Sequence, residues 1–312
     1  MTKKDFYYPS ADGRTTIHAI SWEPDEKPVA IVQLIHGMCE FIDRYDDFAR
    51  FLCDNGFLVV GEDHLGHGES VVSKEYLGFF GKKGNEWMIA DIHHLRMLMR
   101  QQYPDLKYLM LGHSMGSFLV RQYITEDDAR FAEGLSGVVI MGTGWTADPV
   151  IRSGMLLARL LGLDKVGKRA KLIELASFGS YLKRIPDAKT GAEWLTKDNE
   201  IIEKYRNNPL NSFHFTPNAF YHMFSGMKKA HSIKRIKKLP AGLPLLFISG
   251  AEDPVGSWGE GVRKAFMVYT ENTDCKVDIK LYDDDRHEIL NETDREEVYR
   301  DLLDYFRYCL GE

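Results

Sequence analysis

Ser114 stands at the centre of Gly112-His113-Ser114-Met115-Gly116, directly after the apolar run Tyr108-Leu109-Met110-Leu111 and directly before Ser117-Phe118-Leu119-Val120-Arg121-Gln122-Tyr123-Ile124. This order reads as strand, sharp turn and helix. Glycines occupy the places where a side chain would clash with the folded backbone, and the hydroxyl is raised above the end of a sheet. A serine hydroxyl is a weak nucleophile at neutral pH. It needs a base within hydrogen-bond reach, and the base needs a carboxylate to fix its tautomer. Both follow later in the chain. Asp253 lies in Gly250-Ala251-Glu252-Asp253-Pro254, after the apolar run 243–250, and His287 lies in Asp285-Arg286-His287-Glu288, after the run 276–282. Glu252, Asp283, Asp284 and Asp285 compete for the acid role, and the last three read as a solvated loop. Acyl attack also creates an oxyanion that needs two backbone N–H donors. Met115 offers one, and Met38 in His36-Gly37-Met38-Cys39-Glu40 offers the other, with Gly37 allowing the backbone to come close.

The elements needed to position these groups are visible as a rhythm. A hairpin over residues 5–23 turns at Asp12-Gly13. The nearly unbroken apolar run Val29–Ile35 has the character of a strand buried on both faces of a parallel sheet. Then come helix 44–54, strand 57–61, helix 86–103, strand 108–111, helix 115–126 and strand 137–141. Such alternation predicts a mostly parallel, doubly wound α/β sheet. From about residue 146 to 240 the rhythm breaks into helices and loops, an inserted helical cap. The sheet resumes at 243–250, followed by helix 260–271, strand 276–282 and helix 296–309. The predicted organisation is a core of residues 1–145 and 241–312 with a cap over 146–240.

Composition narrows the function classes. The 312-residue chain is 44% hydrophobic and carries a net charge of -6, an acidic balance that argues against nucleic acid as partner. Cys39, Cys53, Cys275 and Cys309 are widely spaced, with neither a zinc nor a Cys-x-x-Cys redox pattern, and fit a reducing cytoplasm. No secretory signal or bilayer-spanning run is read in the sequence. No metal or organic cofactor is called for.

His36-Gly37-Met38-Cys39-Glu40 with Arg44-Tyr45, Glu62-Asp63-His64-Leu65-Gly66-His67-Gly68-Glu69-Ser70, the Ser114 turn, the Asp253 turn and Arg286-His287-Glu288-Ile289-Leu290-Asn291-Glu292 together resemble the monoacylglycerol lipase and bacterial lysophospholipase branch of the α/β-hydrolases. The resemblance covers nearly the whole sheet and is silent over the cap. It implies a metal-free serine esterase acting on single-chain lipid esters, with Ser114, Asp253 and His287 as triad and the order Ser, Asp, His of that fold. It also implies that Glu40, Arg44 and His113 hold the glycerol end of the substrate. A proline iminopeptidase-like aminopeptidase and a non-catalytic binding scaffold are the rival readings.

The remaining motifs admit two readings each. Glu40 and Arg44, four apart, suit a surface ion pair as well as a substrate clamp. His64, His67 and the Gly66/Gly68 turn suggest a phosphate loop, yet lack its Lys and Ser/Thr, and read as a structural loop beneath the site. His93-His94 reads as helix surface. Leu157 and Leu161, with the stripe Phe220, Met223, Phe224 and Met227, either pack the cap onto the sheet or line an acyl-chain tunnel. The basic run Lys228–Lys238 is either a solvated face or a peripheral contact with anionic lipid. The expected partners are thus a small acyl ester or lipid, with peripheral membrane contact through the cap. Oligomeric state is left open.

Overall fold

The computed structural model describes every residue except Asp187. Eight strands form one sheet in the order β1-β2-β4-β3-β5-β6-β7-β8: β1 Thr2–Pro9, β2 Thr16–Glu23, β3 Ala30–Ile35, β4 Phe57–Glu62, β5 Lys107–His113, β6 Leu135–Met141, β7 Pro244–Gly250 and β8 Lys276–Tyr282. Only β2 runs against its neighbours; β4, β3 and β5–β8 pair parallel. The predicted doubly wound α/β sheet is therefore present. The hairpin turn forms because the Asp12 carboxylate accepts the Arg14 and Thr15 amides, both at 2.7 Å. Every residue of β3 and β4 is buried, as a strand covered by helices on both faces must be.

The helices between the strands are α1 Asp46–Asp54, α2 Gly84–Gln102 and α3 Met115–Tyr123, with α9 Glu260–Asn272 and α10 Arg295–Leu310 later in the chain. The expected helix 44–54 splits into a 3-10 turn Ile42–Tyr45 and α1. Helix 115–126 ends early at Tyr123, and the 3-10 stretch beyond it contains three left-handed residues, Asp127, Asp128 and Ala129. Between β6 and β7 lie α4 Asp148–Leu161, α5 Lys171–Phe178, α6 Asn199–Asn207, α7 Pro217–Ala230 and α8 Ile233–Ile236, with no strand among the described residues there. Strand register aligns the carboxyl ends: Ile35 faces Gly112, His113 faces Met141, Met141 faces Ile248 and Gly250 faces Tyr282. The loops carrying Met38, Ser114, Asp253 and His287 consequently open on one edge, where open α/β sheets bind ligands.

The histidine-rich loop after β4 is structural. Buried Asp63 accepts the Ile42 amide at 2.8 Å and the Glu69 amide at 2.9 Å, and contacts His18 Nδ1 at 2.8 Å. His64 and His67 are also buried, so this segment holds no open phosphate cradle. Burial alone would lower the His18 pKa, but Asp63 and Asp5 at its two ring nitrogens raise it to about 9, above the ordinary 6.5. A folded-state pKa above the unfolded one means that the contribution is complete below 6.5 and fades as pH rises through about 9. The melting-temperature gap between wild type and His18→Gln should therefore shrink on going from about pH 6 to about pH 10. Thermal denaturation checks this, and a gap that stays constant would remove the charged pair from the account.

Candidate active site

Ser114 sits at φ 54°, ψ -118°, between β5 and α3, and its side chain caps no helix N–H. Sterics force this turn. A Cβ on Gly112 would lie 2.3 Å from the Gly116 carbonyl oxygen, and one on Gly116 would lie 1.9 Å from the Ile35 oxygen. The same closeness brings the loop after β3 over the serine: a Cβ on Gly37 would stand 3.0 Å from Ser114 Cβ. Met38 and Met115 follow these contact points, and neither amide donates to another described group. Two free N–H donors beside a raised hydroxyl suit an oxyanion.

Asp253 is fully buried. Its Oδ2 lies 3.0 Å from His287 Nδ1 and accepts Ser249 Oγ at 3.1 Å, while Oδ1 accepts the Val255 amide at 2.8 Å. The carboxylate thus faces the imidazole with no freedom to turn. The hydrogen bond from Ser114 Oγ to His287 Nε2 is not formed, the looser arrangement common before substrate arrives. The rival acids are occupied elsewhere. Glu252 pairs with Lys197 at 3.1 Å, and Asp283 and Asp284 are exposed. Asp285 departs from the expected solvated loop: it is buried, and burial together with the neighbouring Asp294 and Glu292 raises its pKa to about 7.

Glu40, Arg44 and His113 form neither a surface pair nor an open clamp. Arg44 Nη1 donates to Glu40 at 2.7 Å, and its two terminal nitrogens reach Glu288 at 2.9 and 2.7 Å. Glu40 also accepts the Gly37 amide at 2.5 Å and the Tyr45 hydroxyl at 3.0 Å. His113 places Nδ1 3.2 Å from Glu40 and Nε2 3.3 Å from the His287 carbonyl. Acceptors at both ring nitrogens favour the imidazolium; burial would lower the His113 pKa, but Glu40 raises it. Burial likewise opposes ionisation of Glu40 and Glu288, yet His113 and Arg44 hold Glu40, and Arg44 holds Glu288, below the ordinary carboxylate range. These side chains are committed to one another and brace the two loops.

Glu288, Glu292, Trp194 and Tyr181 had no assigned role in the sequence. Glu292 accepts Thr196 Oγ1, the Lys197 amide and the Arg286 amide, each at 3.0 Å. The backbone of the histidine loop also bonds the segment between β6 and β7: the Glu288 amide donates to the Leu195 carbonyl at 2.7 Å. From His287 an aromatic wall runs through Trp194 at 5.2 Å, Tyr181 5.1 Å beyond it, and Phe178 after a further 5.4 Å. It meets the expected Phe220 at 6.0 Å from Phe178. The sequence signal for Glu288 and Glu292 was their place in the motif Arg286–Glu292 beside His287; Trp194 and Tyr181 had none. Phe220 is fully buried, Phe224 packs against Gly154 of α4, and Leu157 and Leu161 are half-buried against the core.

The fold and the site define a serine hydrolase of the α/β-hydrolase architecture. Residues 26–294 match the family described as "Serine aminopeptidase, S33", and the chain belongs to that family. It is 26% identical over 279 residues to a monoglyceride lipase homolog of Monkeypox virus, covering 89% of this chain and 88% of that protein. It is 25% identical over 305 residues to a monoacylglycerol lipase of Mycolicibacterium smegmatis, covering 97% of each. A solved structure of a highly thermostable carboxyl esterase from Bacillus coagulans in complex with glycerol superposes with a TM-score of 0.90 at 30% identity over 99% of each chain.

The carboxylate geometry makes Asp253→Asn lower kcat by roughly 10⁴, because an amide stabilises the unproductive tautomer. Asp284→Asn should leave turnover unchanged. Steady-state hydrolysis of p-nitrophenyl butyrate separates the two, and equal losses would reassign the acid.

Proposed function

We propose that the chain is a serine carboxylic-ester hydrolase that cleaves monoacylglycerols, lysophospholipids or related small acyl esters through an acyl-enzyme. His287 takes the proton of Ser114 as the hydroxyl attacks the ester carbonyl, the Met38 and Met115 amides hold the oxyanion, and Asp253 keeps the imidazole oriented. His287 then gives the proton to the leaving alcohol, and afterwards activates the water that releases the acid. Residues 146–240 act as a cap over the core, and no metal or cofactor enters the cycle. The observation that carries the lipid reading is the half-buried aromatic wall that runs from His287 through Trp194 and Tyr181 to Phe178, an uncharged surface backed by the buried Phe220. The relatives named as lipases and the esterase fold neighbour support it. A peptidase reading needs a free carboxylate for the substrate's amine. The nearby ones are already paired, Glu40 and Glu288 with Arg44, and Glu252 with Lys197.

Turnover across monoacylglycerols, lysophospholipids, p-nitrophenyl esters and aminoacyl anilides tests the proposal, with Ser114→Ala as the inactive control. Full burial of a methylene is worth about 0.8 kcal/mol, so kcat/KM should climb by up to about fourfold per added CH₂ until the wall is covered. Phe178→Ala should flatten that climb while sparing the butyryl ester. Preferential cleavage of aminoacyl anilides would replace the ester reading with the peptidase one.

Contact with a lipid surface falls in this proposal on α4 and α5. Three of the six cations in the basic run 228–238 are paired, Lys229 with Glu86, Arg235 with Glu126 and Lys238 with Asp128. Leu156 and Leu160 on α4 and Leu172 and Leu175 on α5 are instead 58%, 76%, 59% and 71% exposed, beside Arg159 and Lys171. No helix among the described residues is long and apolar enough to cross a membrane. The double substitution Leu160→Asp/Leu175→Asp should reduce hydrolysis of monoacylglycerol in anionic vesicles and leave p-nitrophenyl butyrate hydrolysis intact; unchanged vesicle activity would remove this contact.

A further inference from the structure

His36 is fully buried, precedes the oxyanion loop, and has no part in the proton transfers above. Its two ring nitrogens are both engaged. Nε2 lies 2.9 Å from the backbone nitrogen of His64, and Nδ1 lies 2.8 Å from the carbonyl oxygen of Gly37. A backbone N–H only donates, so Nε2 must be the bare acceptor and the proton must sit on Nδ1, donating to Gly37. The ring is wedged in place, with the His64 ring 4.0 Å away and the His67 ring at 5.1 Å. Burial and these two histidines hold it neutral, well below the ordinary imidazole range.

The consequence lies in the geometry of one peptide unit. The Gly37 carbonyl and the Met38 N–H belong to the same planar group, which is trans here, so they point in opposite directions. Fixing the oxygen on one side aims the hydrogen on the other. The preceding amide of Gly37 is fixed as well, by Glu40 at 2.5 Å. We infer that His36 is a positioning residue of the oxyanion hole: its Nδ1–H pins the Gly37 carbonyl and thereby aims the Met38 N–H at the oxygen that becomes negative. His36 touches no reacting atom. Its effect passes through the Gly37–Met38 peptide, and the inference rests on the reading of Ser114 as nucleophile.

The test compares His36→Asn, whose amide nitrogen falls near the place of Nδ1 and keeps a donor for Gly37, with His36→Gln and His36→Leu, which do not. In full-length protein of unchanged circular dichroism, His36→Leu and His36→Gln should lose about 10²- to 10³-fold in kcat, the range for one missing oxyanion donor, with KM nearly constant. His36→Asn should recover at least about tenfold of that loss. The rate of Ser114 labelling by a fluorophosphonate probe should fall in the same order, since its phosphoryl oxygen uses the same donors. If His36→Leu does not fold, the Asn and Gln variants carry the comparison. Equal kcat and labelling rates in those two would overturn the inference, as would a loss confined to KM. Failure of the wild-type protein to turn over any ester would sink the substrate reading alone, because the labelling series still ranks the variants.

Discussion

Four charges buried together beneath Ser114 and His287 set the geometry of the candidate site. Arg44 lies between Glu40 and Glu288, and His113, bridging Glu40 and the His287 carbonyl, completes two positive and two negative groups. Glu40 belongs to the oxyanion loop and Glu288 follows the base, 244 positions from Arg44 in sequence. Taking such charges out of water is costly, and removing one member of a buried pair typically costs about 3–5 kcal/mol, because its partner is left uncompensated. The loops after β3 and β8 are therefore held together by electrostatics in a dry interior rather than by the stiffness of their own backbones. Neutrality of the set makes it tolerable, and the bidentate Arg44–Glu288 contact makes it directional.

The same economy of position links His287 to the segment between β6 and β7. Glu292 gathers donors from Thr196, Lys197 and Arg286, and the Arg286 guanidinium reaches the Glu193 carbonyl at 2.8 Å. The segment 193–197 is thus fastened to the histidine loop, and Trp194 is carried against the imidazole. Helices α4 and α7 pack through Gly154, Phe224 and the small cluster of Phe118, Ile151 and Met227. Hydrogen bonds fasten both parts of the stretch between β6 and β7: 193–197 to the histidine loop, and the start of α7 to residues 78–81, where Thr216 donates to the Gly78 carbonyl at 2.7 Å and Asn218 accepts the Phe80 amide at 2.9 Å.

Strands were legible in the sequence because burial on both faces leaves continuous apolar runs, and Ser114, Asp253 and His287 stood out as candidates because each follows such a run, which is why the structure places them at one sheet edge. What escaped reading was pairing. A sequence displays the charge on Glu40 or Arg44 but not Glu288 folded against it from the far end of the chain, so a buried network passed for a surface pair. Lys229, Arg235 and Lys238 looked like an unpaired basic face for the same reason, their partners lying on α2 and in the 3-10 stretch after α3. Asp285 looked solvated beside Asp283 and Asp284, though the sheet edge turns it inward. Trp194 and Tyr181 occupy a segment without periodicity, where nothing local announces a wall.

Backbone strain shows why so much of the molecule is spent on rigidity. Ser114 and Cys39 both adopt φ 54°, a region L-residues avoid at a cost of about 1–3 kcal/mol each. Cys39 is the residue after Met38, and it is held by contacts rather than by preference. Its Sγ donates to the Phe213 carbonyl at 3.4 Å, and its own carbonyl accepts the Tyr205 hydroxyl at 3.4 Å. Tyr205 in turn lies under the Arg44 guanidinium, 4.9 Å from the ring centre. The two amides that would receive the oxyanion therefore sit beside strained residues on either side of the cleft, each locked from outside. Donors fixed in advance need no reorganisation when charge develops, which is where electrostatic stabilisation of an acyl-transfer transition state originates. The strain is stored during folding, and the buried charge network, the neutral His36 ring and the anchored segment 193–197 together keep it from relaxing.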